Sequence, residues 1–86
     1  MSTELNQQKT SFTEIQGQYL AFIYAYSRVH GYAPAEADIR KKFEVSAPTV
    51  HQMILTLEKK GFIRRMPQTS RSIEVLVQPE LLPVLR

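Results

Sequence analysis

The segment from Val45 to Val77 combines features whose order limits the folds open to this chain. Ser46 is a capping residue followed by apolar residues at helical spacing, which predicts an amphipathic helix. Gly61 then ends that helix, and two short alternating runs follow on either side of the polar turn at 67–70. Such a helix can lie in a DNA major groove while the hairpin beside it touches the backbone.

Two more helices are predicted before this segment. Thr13 and Gln16 have the spacing of a capping box, and apolar residues then repeat at helical spacing up to a glycine stop. A second helix from Ala35 or Glu36 to Phe43 is predicted because acidic residues occupy its first turn and basic residues its last. The residues expected to face the core are Ile15, Tyr19, Phe22, Ile23 and Tyr26, then Ala37, Ile39 and Phe43, then Val50, Ile54 and Leu57.

These patterns predict a mainly α chain with a small antiparallel β-hairpin, which is the architecture of a winged helix-turn-helix with three helices plus a wing. A chain of 86 residues suffices for one compact domain. We expect a flexible N-terminal arm at 1–11, the folded domain at 12–78 and a C-terminal tail at 79–86. Leu81, Leu82 and Leu85 in the tail need a partner, either this domain's own core or a second copy.

Composition excludes several function classes. The chain has no cysteine, so neither a disulfide framework nor thiolate metal ligands are expected. It also lacks the apolar run of a signal peptide or membrane span, and we expect a cytoplasmic protein with no membrane partner. His30 and His51 lie far apart without further ligands, so no metal site is predicted. No catalytic or phosphate-binding motif occurs, and we expect neither an enzyme nor a cofactor or small-molecule ligand.

Positive charge is concentrated in one part of the chain. The formal net charge is only +3, but the stretch from Lys59 to Arg71 carries basic residues and no acid. Such a cluster suits a polyanion, although a solvated surface gives the same pattern.

From about Phe12 to Val77 the sequence resembles the DNA-binding domain of the LexA repressor family. The resemblance is carried by Tyr32-Ala33-Pro34, by Ser46-Ala47-Pro48-Thr49-Val50-His51, by the run Leu57-Glu58-Lys59-Lys60-Gly61-Phe62-Ile63-Arg64-Arg65, and by the stretch from Pro67 to Val75. It implies that the protein binds double-stranded DNA and regulates transcription. We expect it to repress transcription and to be associated with the nucleoid. Repressors of this family usually continue into a peptidase domain with a serine-lysine dyad. If the 86 residues are complete, self-cleavage is not expected.

Position in this fold assigns roles to polar residues. Serine and threonine can donate to or accept from base edges, and glutamine can pair with adenine at two atoms. The candidates for base contacts are Ser46, Thr49, His51 and Gln52. The candidates for backbone or wing contacts are Lys41, Lys42, Arg64, Arg65 and Arg71. Arg71 is the best placed of these to enter a groove, and for each residue the alternative is an ordinary solvated side chain.

One module of this size buries a modest surface on DNA, so a homodimer on a repeated or palindromic site is expected. The tail is the candidate dimer contact. The alternative function is a winged-helix protein-interaction module, or an antagonist of a repressor that does not bind DNA itself. Met53 and Leu55 favour that alternative, because they are apolar residues near the exposed side of the third helix. An RNA-binding winged helix is a third possibility, favoured only by the basic wing.

Overall fold

The protein was studied as a computed structural model that describes residues 12–86. The described part comprises the helices α1 (Glu14–His30), α2 (Glu36–Phe43) and α3 (Ala47–Lys59), the strands β1 (Ile63–Arg64) and β2 (Glu74–Val75), and a 3-10 turn (Pro79–Leu81). The strands are antiparallel, with Ile63 opposite Val75 and Arg64 opposite Glu74. We call residues 63–75 the wing and residues 79–86 the tail. The predicted winged helix-turn-helix is confirmed, and the arm at 1–11 lies outside the described residues.

The helix ends follow the local signals in the sequence. In α1, the Thr13 hydroxyl accepts the backbone N–H of Gln16 at 3.2 Å, and the Gln16 carboxamide oxygen accepts the N–H of Thr13 at 2.9 Å. At the other end Gly31 has φ 80°, a left-handed conformation that favours glycine, and its N–H donates to the carbonyl of Ser27. The predicted capping box and the glycine stop of α1 are therefore both present.

The core lies where the three helices meet the wing. Its fully or almost fully buried apolar residues are Tyr19, Leu20, Ile23, Ile39, Val50, Ile54, Leu57, Phe62, Ile63, Ile73 and Val77. The expected stripe of α3 is confirmed, since Val50, Ile54 and Leu57 have no exposed surface. Burial of this continuous apolar cluster is the main stabilising contribution.

Two core assignments are wrong. Ile15 is 46% exposed, although Tyr19, one turn further along the same face of α1, is buried. Ala37 is exposed. It lies two positions before the buried Ile39, and two positions correspond to about 200° around a helix, so both side chains cannot face the core.

The strands are shorter than the alternating pattern predicts. Extended runs were expected at 62–66 and 72–77, whereas each strand has two residues. Pro67 provides no N–H for a ladder bond, and Arg71 has φ 59°, which is incompatible with an extended strand. One further bond, from the N–H of Leu76 to the carbonyl of Phe62 at 2.8 Å, continues the contact between the two segments.

The tail lies against α1. The Gln18 carboxamide donates to the carbonyl of Val84 and accepts the N–H of Arg86, both at 2.9 Å. Leu81 and Leu82 pack against the core cluster. Of the two partners expected for these leucines, the domain's own core is the one observed.

Candidate nucleic-acid interface

The N-terminus of α3 is fixed by a pair of hydroxyl groups. Ser46 is the N-cap, and its hydroxyl accepts the backbone N–H of Thr49 at 3.3 Å. The two hydroxyl oxygens of Ser46 and Thr49 are also 2.9 Å apart and hydrogen bonded. Pro48 fits in this first turn because its missing N–H has no intrahelical partner there. Both hydroxyl groups remain exposed and keep further hydrogen-bonding capacity.

The four residues predicted to contact bases lie together on the first turns of α3. Ser46, Thr49, His51 and Gln52 are all exposed, while Val50 between them is fully buried. The buried stripe therefore orients the polar face outward. Nδ1 of His51 is 3.5 Å from a carboxylate oxygen of Glu36 on α2, so this histidine lies at the junction of the two helices.

The lysines predicted to contact the DNA backbone lie at the C-terminal end of α2. Lys41 and Lys42 are exposed. Nζ of Lys42 donates to the backbone carbonyl oxygen of Arg86 at 2.7 Å, so the tail already engages one of these lysines. Glu44 follows in the left-handed conformation, with φ 56°, and directs the chain towards α3.

Arg64 of β1 and Arg65, the residue after it, each form an ion pair. Nε of Arg64 is 2.8 Å from Glu74, the residue opposite it on β2, and both side chains are well exposed. Nε of Arg65 is 3.2 Å from Glu58 of α3, and the Arg65 side chain is only 23% exposed. Exposed pairs of this kind contribute about 0–1 kcal/mol, so the Arg64 guanidinium can exchange its carboxylate partner for a phosphate at small cost.

The turn of the wing is closed by Ser72. The Ser72 hydroxyl accepts the N–H of Met66 at 3.0 Å and donates to the carbonyl of Thr69 at 2.8 Å. Gln68 and Arg71 both adopt the left-handed conformation, with φ of 61° and 59°. The turn is thus a defined loop between two short strands.

Arg71, the candidate for entering a groove, contacts other parts of the domain through its guanidinium. Its Nη1 lies 3.2 Å from the Tyr26 hydroxyl, 3.3 Å from the carbonyl oxygen of Ala33 and 3.2 Å from a carboxylate oxygen of Asp38. The guanidinium carbon also lies 5.0 Å from the centre of the Tyr32 ring. Hydrogen bonding to Tyr26 raises the pKa of Arg71 above its usual value, so the group is charged throughout the accessible pH range.

Asp38 joins this cluster to the start of α2. The same carboxylate oxygen that faces Arg71 accepts the backbone N–H of Ala35 at 2.9 Å. That hydrogen bond, together with the charge of Arg71, lowers the pKa of Asp38 below its usual 3.8 despite the opposing effect of burial. Sequence spacing indicated an acidic first turn for α2, but no local signal pointed to Tyr26 or Arg71 as partners of Asp38.

Other kinds of site find no support among residues 12–86. No helix in this range is long and apolar enough to cross a membrane. No group of histidine, aspartate and glutamate side chains there is arranged to hold a metal ion.

Comparison with known proteins points to one family. The family model described as the LexA DNA binding domain matches residues 9–72. The LexA repressor of Thermosipho africanus is 40% identical over 72 residues, a match that covers 84% of this chain and 36% of the relative. The LexA repressor of Thermosipho melanesiensis is 42% identical over 74 residues, a match that covers 84% of this chain and 37% of the relative. The LexA repressor of Novosphingobium aromaticivorans is 35% identical over 69 residues, a match that covers 79% of this chain and 30% of the relative. The chain thus spans about a third of the length of these curated relatives.

Proposed function

The chain belongs to the LexA DNA-binding domain family, and we propose on that basis that it binds a specific site on double-stranded DNA and represses transcription. The observation that carries the proposal is the exposed polar face at the N-terminal end of α3, beside a wing that carries arginines. The proposed activity is binding without catalysis. It implies a cytoplasmic protein associated with the nucleoid.

Recognition of the DNA base sequence is assigned to residues on the first turns of α3. Gln52 is exposed, and its carboxamide can form two hydrogen bonds with adenine: the oxygen accepts from the N6 amino group and the NH2 group donates to N7. A bidentate pair of this kind discriminates by about 1–3 kcal/mol against the wrong base. Thr49 offers a methyl group as well as a hydroxyl, which suits contact with a thymine methyl group. Ser46 and His51 complete the proposed set.

Much of the affinity for DNA is assigned to lysine and arginine side chains around the exposed polar face of α3. Lys41 and Lys42 at the end of α2, with Arg64 and Arg65 of the wing, are the proposed phosphate contacts. Each phosphate that a cation neutralises releases counterions and adds about one to the slope of log affinity against log salt concentration. Arg65 is the least available of the four, because its side chain is mostly covered and paired with Glu58.

Two copies are proposed to act together on one DNA site. A single winged helix contacts few base pairs, so a repeated or palindromic site would raise its specificity. The tail is the proposed contact between copies. Leu81 and Leu82 lie against the domain's own core, whereas Val84 is 87% exposed, so Val84 is an apolar residue available to a second copy.

Selection of binding sites from random duplex DNA, at about 0.15 M salt, tests the proposal. We expect an enriched motif whose symmetry and half-site spacing report the number of copies bound. Thr49→Ala and Gln52→Ala should relax one or two positions of that motif. Gln78→Ala is the matched control, because Gln78 is an exposed glutamine outside α3 and the wing. A motif that is unchanged in both α3 variants contradicts the assignment of base contacts.

One observation favours a second function, in which the domain binds a protein and not DNA. Leu55 on α3 is 38% exposed, and Met53 is only partly buried against the core. Exposed apolar surface on this helix suits a protein partner, such as a repressor that the domain would antagonise. Failure of a well-folded protein to enrich any motif would favour this function over DNA binding.

A further inference from the structure

Arg71 connects three separate parts of the fold. Its guanidinium bonds to Tyr26 on α1, to the backbone of Ala33 between α1 and α2, and to Asp38 on α2. Arg71 itself belongs to the wing, in a left-handed conformation that follows the turn. One side chain therefore ties the wing to both of the helices that precede α3.

Other contacts join the wing to the helices, namely the burial of Ile63 and Ile73 in the core and the pair of Arg65 with Glu58, but they lie outside the turn at 67–71. The ladder between β1 and β2 has two residue pairs, Ile63 with Val75 and Arg64 with Glu74, and neither pair includes the turn. The hydrogen bonds of Ser72 are internal to the wing, because they join it to Met66 and Thr69. They hold the shape of the turn but not its angle to the helices.

We propose that Arg71 is a positioning residue, which locks the wing against α1 and α2 so that the wing and the exposed face of α3 meet DNA together. The proposal rests on the proposed DNA-binding function. The carboxylate, the hydroxyl and the carbonyl are all contacted by Nη1, and the Tyr32 ring lies beside the guanidinium, so this nitrogen is engaged within the protein. A groove contact through Nη1 would require that nitrogen to leave these partners.

The two roles predict opposite effects for Asp38→Asn, and Arg71→Lys is its companion variant. Arg71→Lys keeps the positive charge, but its side chain is shorter and lacks the planar group that lies beside the Tyr32 ring. Asp38→Asn removes the carboxylate charge while keeping an oxygen that can accept the N–H of Ala35. If Arg71 positions the wing, both variants should weaken binding to the selected DNA site by roughly three- to tenfold, which is at the lower end of the coupling between residues in one network, and the double variant should bind no more weakly than either single variant.

Salt dependence provides the second criterion. Positioning predicts that Arg71→Gln lowers the affinity while leaving the slope of log affinity against log salt concentration almost unchanged. A direct phosphate or groove contact predicts that the slope falls by about one. It also predicts that Asp38→Asn strengthens binding, because the arginine is released towards DNA. Either of those two results overturns the proposal.

A measurement without DNA separates this proposal from the function on which it rests. Backbone amide NMR order parameters for residues 68–71 should fall in Arg71→Lys and in Asp38→Asn, while those of α3 stay at their wild-type values. An ordered wing in both variants overturns the locking role, even if the wild-type protein binds DNA. A loosened wing in a protein that selects no DNA motif would instead show that the lock exists and that the proposed function is wrong. Lys59→Gln is the control, since Lys59 is an exposed cation at the end of α3, outside the wing.

Discussion

Replacing Gln18 by alanine tests whether the tail is part of the folded domain. Gln18 is only 4% exposed, and its carboxamide satisfies a carbonyl and an N–H of the tail backbone. A typical intramolecular hydrogen bond contributes about 0.5–1.5 kcal/mol net. Loss of two such bonds predicts that the free energy of unfolding falls by about 1–3 kcal/mol. For a domain of this size that corresponds to a decrease in Tm of about 5–20 °C.

Thermal and urea unfolding followed by far-UV circular dichroism would measure this decrease. Gln52→Ala is the matched control, because Gln52 is exposed and surface substitutions usually change stability by less than about 0.5 kcal/mol. The two glutamines should behave in opposite ways: Gln18→Ala lowers stability, whereas Gln52→Ala changes DNA sequence preference. A Tm for Gln18→Ala within about 2 °C of the wild-type value would refute the argument, and the tail would then not be held by this side chain.

Two further predictions follow from the structure around the tail and α2. A Cβ at Gly17 would lie 2.9 Å from a ring carbon of Phe12 and 3.1 Å from Pro83. Gly17→Ala should therefore lower the Tm, even though alanine favours a helix interior by about 1 kcal/mol over glycine. A raised Tm in thermal unfolding would contradict this argument from crowding. The pKa of Asp38 is lowered in the folded state, chiefly by the hydrogen bond from the N–H of Ala35. The stability that the ionised carboxylate contributes is therefore present above pH 3.8, and it is lost as the pH falls through the folded-state pKa. Wild-type protein should therefore lose more stability than Asp38→Asn between about pH 5 and pH 2, and parallel stability curves would count against this role.

The helix boundaries were predictable because their signals are local. Thr13 with Gln16, Gly31 and Ser46 each act on backbone groups within four residues of themselves, and the structure has all of these caps. The stripe on α3 was predictable for the same reason, since helical spacing alone places Val50 and Ile54 on one face. The exposed polar face of α3 follows directly from that stripe.

The strand lengths were less predictable. The alternating pattern on either side of Pro67 indicated that two segments pair, but not how many residues form the ladder. Pairing stops early because Gln68 and Arg71 take left-handed conformations, and no sequence rule assigns such conformations to glutamine and arginine. The side chains that hold this turn, such as Ser72, became evident only from the folded chain.

The sequence by itself determined the three helices, their order, the hairpin and the polar surface of α3, because spacing, caps and turn residues act over a few positions. Only the tertiary structure decided which distant groups meet. Arg71 reaches Tyr26 across 45 positions, and Gln18 reaches the backbone of Val84 across 66. Contacts of this range depend on how the helices pack around the core, and that packing decided that Arg71 lies against the domain and that the tail folds back onto α1.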